Sequence, residues 1–121
     1  AALLGSAVDI DGVRLLAHDA GTVSGADDLR TLALDLRSRL GSEAAVVAVA
    51  GAANGRPVVI VATNEAAREA GVKAGALVKT AAGVLGGGGG GKDDVAQGGG
   101  ADAGKISEAL DAIRAAVANR G

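Results

Sequence analysis

Two nearly continuous apolar runs occupy the middle of the chain, AAVVAVA at 44–50 and PVVIVAT at 57–63. Runs without alternating polar positions are typical of strands that are buried on both faces of a sheet. The intervening GAANGR predicts a turn, and Pro57 fits only at the beginning of the second strand. We therefore expect these two strands to form the centre of the sheet.

Two shorter apolar runs precede them in AVDIDGVRLLAH at 7–18. They flank Asp11-Gly12, a dipeptide that is typical of tight turns between antiparallel strands. This segment therefore predicts a β-hairpin at the start of the fold.

A helical period follows in TVSGADDLRTLALDLRSRLGS at 22–42. Its apolar positions share one face of the predicted helix. They are Leu29, Leu32, Ala33, Leu36 and Leu40. We expect Ser24 to cap the helix, with Asp27 three residues later as in a capping box, and Gly41 to end it.

Three further helices are predicted after the second central strand. Asn64 can cap a short helix in EAAREAG. The helix predicted next has its apolar face at Ala74, Leu77, Val78 and Ala81. Asp102 can cap the last helix, and the apolar stripe there consists of Ile106, Leu110, Ile113 and Val117. The resulting order ββαββααα predicts a compact α/β or α+β domain with a mixed sheet.

The composition narrows the choice of function. The 121 residues include no aromatic residue, methionine or cysteine, so the core must be aliphatic and a disulfide or thiolate metal site is impossible. A net charge of −2 argues against a strongly basic nucleic-acid binder. Residues 56–92 are an exception, because five basic residues outnumber two acidic ones there and give a charge of +3. This positive region leads directly into a glycine-rich segment.

No set of residues has the spacing of a catalytic site. The single histidine, His18, has no nucleophile at a characteristic distance in the chain, so a structural or surface role is favoured. One histidine without cysteine cannot provide the usual zinc ligands. Asp93-Asp94 could hold a divalent ion, although adjacent acids in a loop are more often only solvated. We expect neither catalysis nor a metal in this domain.

The most unusual segment is LGGGGGGKDDVAQGGG at 85–100. So much glycine is typical of a flexible linker, but helical patterns flank the segment closely and polar residues interrupt it. Glycine-rich loops also bind anions through exposed backbone N–H groups. Two phosphate motifs are excluded, because Lys92 precedes Asp93 rather than serine or threonine and the glycines come too late for a dinucleotide fold. We expect residues 86–100 to be a glycine-rich loop that faces a ligand.

Residues 71–102, GVKAGALVKTAAGVLGGGGGGKDDVAQGGGAD, resemble the DHHA1 signature at the C-terminus of alanyl-tRNA synthetases. The shared features are Ala-Gly followed by Leu-Val, a glycine group that ends in a cation, Ala-Gln, and a second glycine group. ISEALDAIRAAV is similar to the terminal helix of that family. The chain departs from the family pattern at Gly88, where lysine is frequent, at Lys92, where arginine is frequent, and at Asp93, where proline is common.

The resemblance implies that residues 1–121 form one DHHA1-like α/β domain, a mixed β-sheet flanked by helices, with residues 1–4 as a remnant of an upstream helical segment. In that family the domain binds the elbow of tRNA(Ala) and helps the aminoacylation and editing domains of the same chain to act together. Homodimerisation is usually linked to the upstream helices. The domain itself would be neither an enzyme nor a cofactor binder, whereas the whole synthetase would use ATP and Mg²⁺, with Zn²⁺ in its editing domain. We expect a cytoplasmic protein with no membrane contact.

The residues expected to contact RNA combine the cations of the positive region with the glycines and the amide of the motif. They are Arg56, Lys73, Lys79, Gly89, Gly90, Gly91, Lys92 and Gln97. Because the chain offers no aromatic side chain for base stacking, recognition would depend on shape, sugar and phosphate. The glycines would let the backbone come close to RNA, and Gln97 would order the loop or contact RNA.

Two other functions stay open. The DHH-family phosphoesterases end in the same type of fold, and their glycine motif carries a histidine that helps to bind nucleotide. Here Lys92 follows the glycine triplet, and the Asp-His-His catalytic motif of those enzymes is missing. The chain would then be the nucleotide-binding C-terminal domain of such an enzyme. The third possibility is a purely structural dimerisation module.

Overall fold

Six strands form one mixed sheet in the order β1-β2-β3-β4-β6-β5. The computed structural model describes residues 7–10 and 12–119. Its elements are β1 (Val8–Ile10), β2 (Val13–Val23), α1 (Ala26–Arg39), β3 (Ala45–Ala53), β4 (Arg56–Thr63), α2 (Glu65–Glu69), α3 (Ala74–Leu85), β5 (Gly89–Gly91), β6 (Val95–Gly99) and α4 (Ile106–Ala118), the last preceded by a 3₁₀ turn at Ala103–Lys105. Only β2 and β3 are parallel, and the other neighbours are antiparallel. The predicted α/β fold with a mixed sheet is confirmed.

Helices cover both faces of the sheet, so its central strands are buried on each side as the apolar runs predicted. Alternate residues of β3 illustrate this arrangement. Val46 and Ala48 belong to the core shared with α3 and α4, whereas Val47 and Val49 belong to the core under α1. All four are completely buried. The aliphatic composition is sufficient because small side chains let the helices pack closely on the sheet.

The predicted β1–β2 hairpin forms, and so does the predicted turn between β3 and β4. β1 pairs with β2 with Ile10 opposite Val13; Asp11 lies outside the described residues. β3 and β4 continue up to Ala53 and Arg56, which face each other. The predicted GAANGR turn is therefore only two residues long. Asn54 and Gly55 have φ values of 53° and 79°, the left-handed conformation that an Asn-Gly hairpin turn requires.

The start of α1 differs from the prediction. Gly25, rather than Ser24, occupies the N-cap position, and no side chain caps the helix there. The Ser24 hydroxyl instead donates a hydrogen bond to the Asp28 carboxylate. The serine lies one residue too early to reach the free N–H groups, and an acidic side chain in the first turn offers it an acceptor. At the other end, Gly41 follows the C-cap with φ 86° and ends the helix as predicted.

The other two predicted caps form. Asn64 Oδ1 accepts a hydrogen bond from Ala67 N at 2.9 Å and caps α2. Asp102 Oδ1 accepts from Gly104 N at 3.0 Å, so it caps the 3₁₀ turn that leads into α4 rather than α4 itself. The predicted apolar faces of α3 and α4 are buried in one core, which anchors both helices on the same side of the sheet.

The prediction of a loop at 86–100 is wrong, because most of this segment forms the β5–β6 hairpin. β6 pairs with β4 over five residues, and β5 adds the edge strand. Glycine disfavours strands because ordering it costs more entropy than ordering other residues. Pairing with the buried strand β4 offsets this cost, which no local pattern reveals.

The glycines of the hairpin allow α3 to lie directly on the two strands. A Cβ atom at Gly89 or Gly98 would come within 2.8 or 2.7 Å of Val78 Cγ1, closer than packed atoms approach. A Cβ at Gly100 would lie 2.2 Å from the Leu85 carbonyl oxygen. These glycines are therefore required by the contact between helix and hairpin, whatever the segment binds.

Candidate nucleic-acid interface

The turn between β5 and β6 presents Lys92 at the end of the sheet where β4 finishes. Lys92 and Asp93 are exposed, and Asp94 is half-buried. Lys92 N donates a hydrogen bond to Val95 O at 3.1 Å and closes the turn. This turn is the centre of the candidate site.

Backbone carbonyls hold the turn in place. Asp93 O accepts from the Thr63 hydroxyl at 2.5 Å and from Ala74 N at 2.9 Å. Asp94 O accepts from Thr63 N at 2.9 Å and from Arg37 Nη1 at 3.2 Å. Thr63 is the only buried polar or charged residue among those described. These four bonds use no side-chain atom of the turn itself, so the position of Lys92 is fixed while its ammonium group stays free for a ligand.

Two of the predicted lysines lie on the α3 side of this turn. Lys73 immediately precedes α3, whose first N–H group bonds to Asp93 O. Lys79 lies further along α3, and its Cε atom is 3.9 Å from the place that a Cβ on Gly90 would occupy. Both side chains are exposed. Lys73 and Lys79 therefore border the hairpin on the α3 side, and Lys92 lies at its turn.

Arg56 is not part of this cluster. It opens β4, and Thr63, next to the Lys92 turn, closes it. Seven residue steps of about 3.3 Å separate them by about 23 Å along the strand. Arg56 was predicted together with the lysines because it belongs to the same positive region of the sequence. In the fold it lies at the opposite end of β4 from the Lys92 turn.

The predicted glycines differ from one another in accessibility. A Cβ at Gly89 would lie 2.4 Å from Gly98 Cα, and one at Gly91 would lie 2.8 Å from Ala96 Cα. A Cβ at Gly90, in contrast, would meet only the end of Lys79. Gln97 is opposite Gly90 in the ladder, is exposed, and forms no side-chain hydrogen bond to a described residue. Gly90 and Gln97 thus form the open part of the hairpin.

Comparison with known proteins identifies the domain. The model of the DHHA1 domain family matches residues 13–119. The chain belongs to the DHHA1 domain family. Alanine–tRNA ligase of Paenarthrobacter aurescens (strain TC1) is 75% identical over 118 residues, which are 98% of this chain and 13% of that ligase. The chain therefore spans about an eighth of the length of this relative.

Two solved structures share the fold of this DHHA1 domain. The C-Ala domain of Aquifex aeolicus alanyl-tRNA synthetase is 26% identical with a TM-score of 0.81, over 93% of this chain and 98% of that one. A DHH-domain protein described as a member of the s1p family of ribosomal proteins is 16% identical with a TM-score of 0.68. The match covers 98% of this chain and 29% of the chain of the DHH-domain protein. At 16% identity it shows a shared fold alone.

Three residues beside the turn between β5 and β6 were not predicted from the sequence. Thr63 and Arg37 hold the turn, and Arg30 lines an open concavity of about 370 Å³ next to Lys92. Arg30 and Arg37 belong to α1, 56 and 49 residues before Gly86 at the start of the glycine-rich segment, so only the packing of α1 on the sheet brings them close. For Thr63, a polar residue at the end of an apolar run, the sequence does carry a weak signal.

The residues considered for other chemistry do not assemble into a site. His18 is half-buried in β2, opposite Val49 of β3. Within 7–10 and 12–119, no group of three or more histidine, cysteine, aspartate or glutamate residues is placed to hold a metal ion. In the same part of the chain, no helix has both the length and the apolar character needed to cross a bilayer.

Proposed function

We propose that this DHHA1 domain is the tRNA-binding C-terminal domain of an alanine–tRNA ligase. It contacts the elbow of tRNA(Ala) and helps the aminoacylation and editing domains of the same chain to act on one tRNA. The observation that supports this best is the 75% identity with an alanine–tRNA ligase over nearly the whole chain. Homodimerisation of the ligase, as part of this proposal, uses helices upstream of residue 1.

Recognition in this proposal rests on charge and shape rather than base stacking, since the chain has no aromatic residue. Lys92 contacts a phosphate from the turn, and Lys73 and Lys79 extend the positive surface along α3. Gly90 lets the RNA approach the backbone. Because hydrogen bonds already hold the turn, ordering it on binding costs little entropy.

The domain itself carries out no bond-making step in this proposal. It holds tRNA, while ATP, Mg²⁺ and the Zn²⁺ of editing belong to other domains of the ligase, in a cytoplasmic enzyme. A small number of phosphate contacts implies weak binding by the isolated domain, with a strong dependence on salt.

Replacing Lys92 with alanine tests this role directly. We expect tRNA affinity at low salt to fall about tenfold, since a charge-assisted contact to phosphate is lost. The slope of log K against log salt should become shallower by about 0.7–0.9. Fluorescence anisotropy with labelled tRNA measures both quantities.

Lys105→Ala is the matched control for this experiment. Lys105 is exposed and precedes α4. Asp102 N, three residues earlier, bonds to Leu85 O at the end of α3 that lies away from the turn. Equal affinities of the two variants would remove Lys92 from the binding surface. Absence of tRNA binding by the unmodified domain at low salt would contradict the proposed function as a whole.

Because a DHH-domain protein has the same fold, a second candidate stays open, a nucleotide-binding domain of a DHH-family phosphoesterase. The domain that the gene encodes upstream of this chain distinguishes the two candidates. An upstream Asp-His-His domain would favour the phosphoesterase, and an upstream synthetase core would favour the ligase. The much higher identity to alanine–tRNA ligases is why we place the ligase first.

A further inference from the structure

Two arginines lie on the side of α1 that faces the hairpin. Arg30 and Arg37 are seven residues apart, and at 100° per residue their directions differ by only about 20°. Arg39 is nine residues from Arg30 and points about 180° away from it. It pairs there with Asp35 at 3.0 Å. We call Arg30 and Arg37 the arginine flank.

The arginine flank borders a part of the sheet that α1 does not cover. α1 packs on β2, β3 and β4, while β6 and β5 extend beyond it. The resulting concavity of about 370 Å³ is open to solvent. Its lining includes Arg30, Gly90, Lys92, Asp94 and Gln97. It therefore lies on the side of the hairpin opposite α3, with Lys92 at the turn.

The charges around this concavity leave cationic groups available for a ligand. Arg30 is exposed and forms no hydrogen bond or ion pair with any residue that the structure describes. Arg37 is half-buried, and its bonds to Thr63 O and Asp94 O, at 3.4 and 3.2 Å, both come from Nη1. Its Nε and Nη2 groups bond to no described residue. Asp94 is the one acidic residue in the described lining.

The arrangement suits an RNA backbone better than a protein partner. Protein interfaces have apolar, often aromatic centres, and this lining has no large apolar side chain other than the half-buried Val95. Guanidinium groups bind phosphate through two parallel hydrogen bonds. Gln97 and the Gly90 backbone add neutral groups that can bond to ribose hydroxyls.

We propose that the sugar–phosphate backbone of tRNA enters this concavity, with Arg30 binding a phosphate next to the one that Lys92 contacts. Arg37 holds the turn and adds its free donors at the rim. The proposal rests on the proposed function and specifies the side of the hairpin on which the RNA lies. RNA contacts then include α1, which the glycine motif does not contain, in addition to Lys92 and the two lysines on the α3 side.

Arg30→Gln, compared with Arg39→Gln, tests the proposal in titrations of the 121-residue chain with tRNA across a range of salt concentrations. Both substitutions remove one exposed positive charge from α1, on opposite sides of the helix. We expect Arg30→Gln to weaken binding about tenfold and to reduce the salt slope by about 0.7–0.9. Arg39→Gln should change affinity less than about twofold. Circular dichroism melting should show both variants folded, because both side chains are exposed.

Three outcomes separate the two proposals. Selective loss of affinity in Arg30→Gln supports the α1-side site. Equal affinities for Arg30→Gln and Arg39→Gln, with Lys92→Ala still impaired, would overturn this inference and leave the proposed function intact. Failure of the unmodified chain to bind tRNA would overturn both.

Discussion

Replacing Gly89 with alanine is expected to lower the free energy of unfolding by about 3 kcal/mol, at the upper end of overpacking effects. A methyl group there would lie 2.4 Å from Gly98 Cα, 2.8 Å from Gln97 O and 2.8 Å from Val78 Cγ1. Two of these atoms belong to the backbone of β6, so the strand has to move away from its neighbour. For a chain of this size the loss corresponds to a melting temperature about 12 °C lower.

Gly88→Ala is the control, one position earlier in the same glycine run. No atom lies within 4 Å of a Cβ there, and its φ is not positive. Alanine at this position restricts the unfolded chain and should leave stability unchanged or raise it by up to about 1 kcal/mol. Thermal melting of the two variants measures the difference. If both variants melt at the same temperature, the glycines are not required for packing.

This contrast shows why part of the fold was predictable and part was not. β3, β4 and the helices carry their pattern in their own side chains, so periodicity and capping residues identify them locally. The hairpin of β5 and β6 is built largely from glycine, which has no side chain and therefore no pattern. Its strands are stabilised by residues outside the segment, because β6 pairs with β4 and Val78 of α3 packs against Gly89 and Gly98. For this reason the sequence pattern predicted a loop at 86–100, where the hairpin forms.

The candidate site divides in a similar way. Lys92 was predictable because a recognisable motif surrounds it. Arg56 was grouped with it from the sum of charges, but the direction of β4 separates the two residues. No sequence motif pointed to Arg30, because only the packing of α1 on the sheet places it next to Lys92. Spacing in the sequence indicates contacts within a motif, whereas contacts between elements require the topology.

The DHHA1 domain thereby combines a glycine-rich hairpin with a rigid support. Flexible glycine alone would impose an entropy cost on any ligand that orders it. Here α3 packs against one side of the hairpin, and Thr63 and Arg37 hold its turn. The glycines serve helix packing, and the cations at the rim remain available for binding. Under the proposed function, stability and tRNA affinity should therefore respond to different substitutions.

Asn64→Ala is expected to cost about 3 kcal/mol and to lower the melting temperature by about 12 °C. Asn64 Oδ1 accepts from Ala67 N at 2.9 Å and from Ala45 N at 3.0 Å, and Nδ2 donates to Glu43 O at 2.5 Å. Losing the cap of α2 costs about 1 kcal/mol. Leaving the N–H group of the buried Ala45 without a partner costs about 1–3 kcal/mol more.

Asn119→Ala is the matched control for Asn64→Ala, because Asn119 is exposed and its side chain bonds to no described residue. Its melting temperature should stay within about 2 °C of the unmodified domain. Asn64→Asp retains the acceptor oxygen but places a second oxygen against Glu43 O, so we expect a loss between those of the two alanine variants. A small loss in Asn64→Ala, comparable with that of Asn119→Ala, would contradict a structural role for the three-way junction of the α1–β3 loop, β3 and α2.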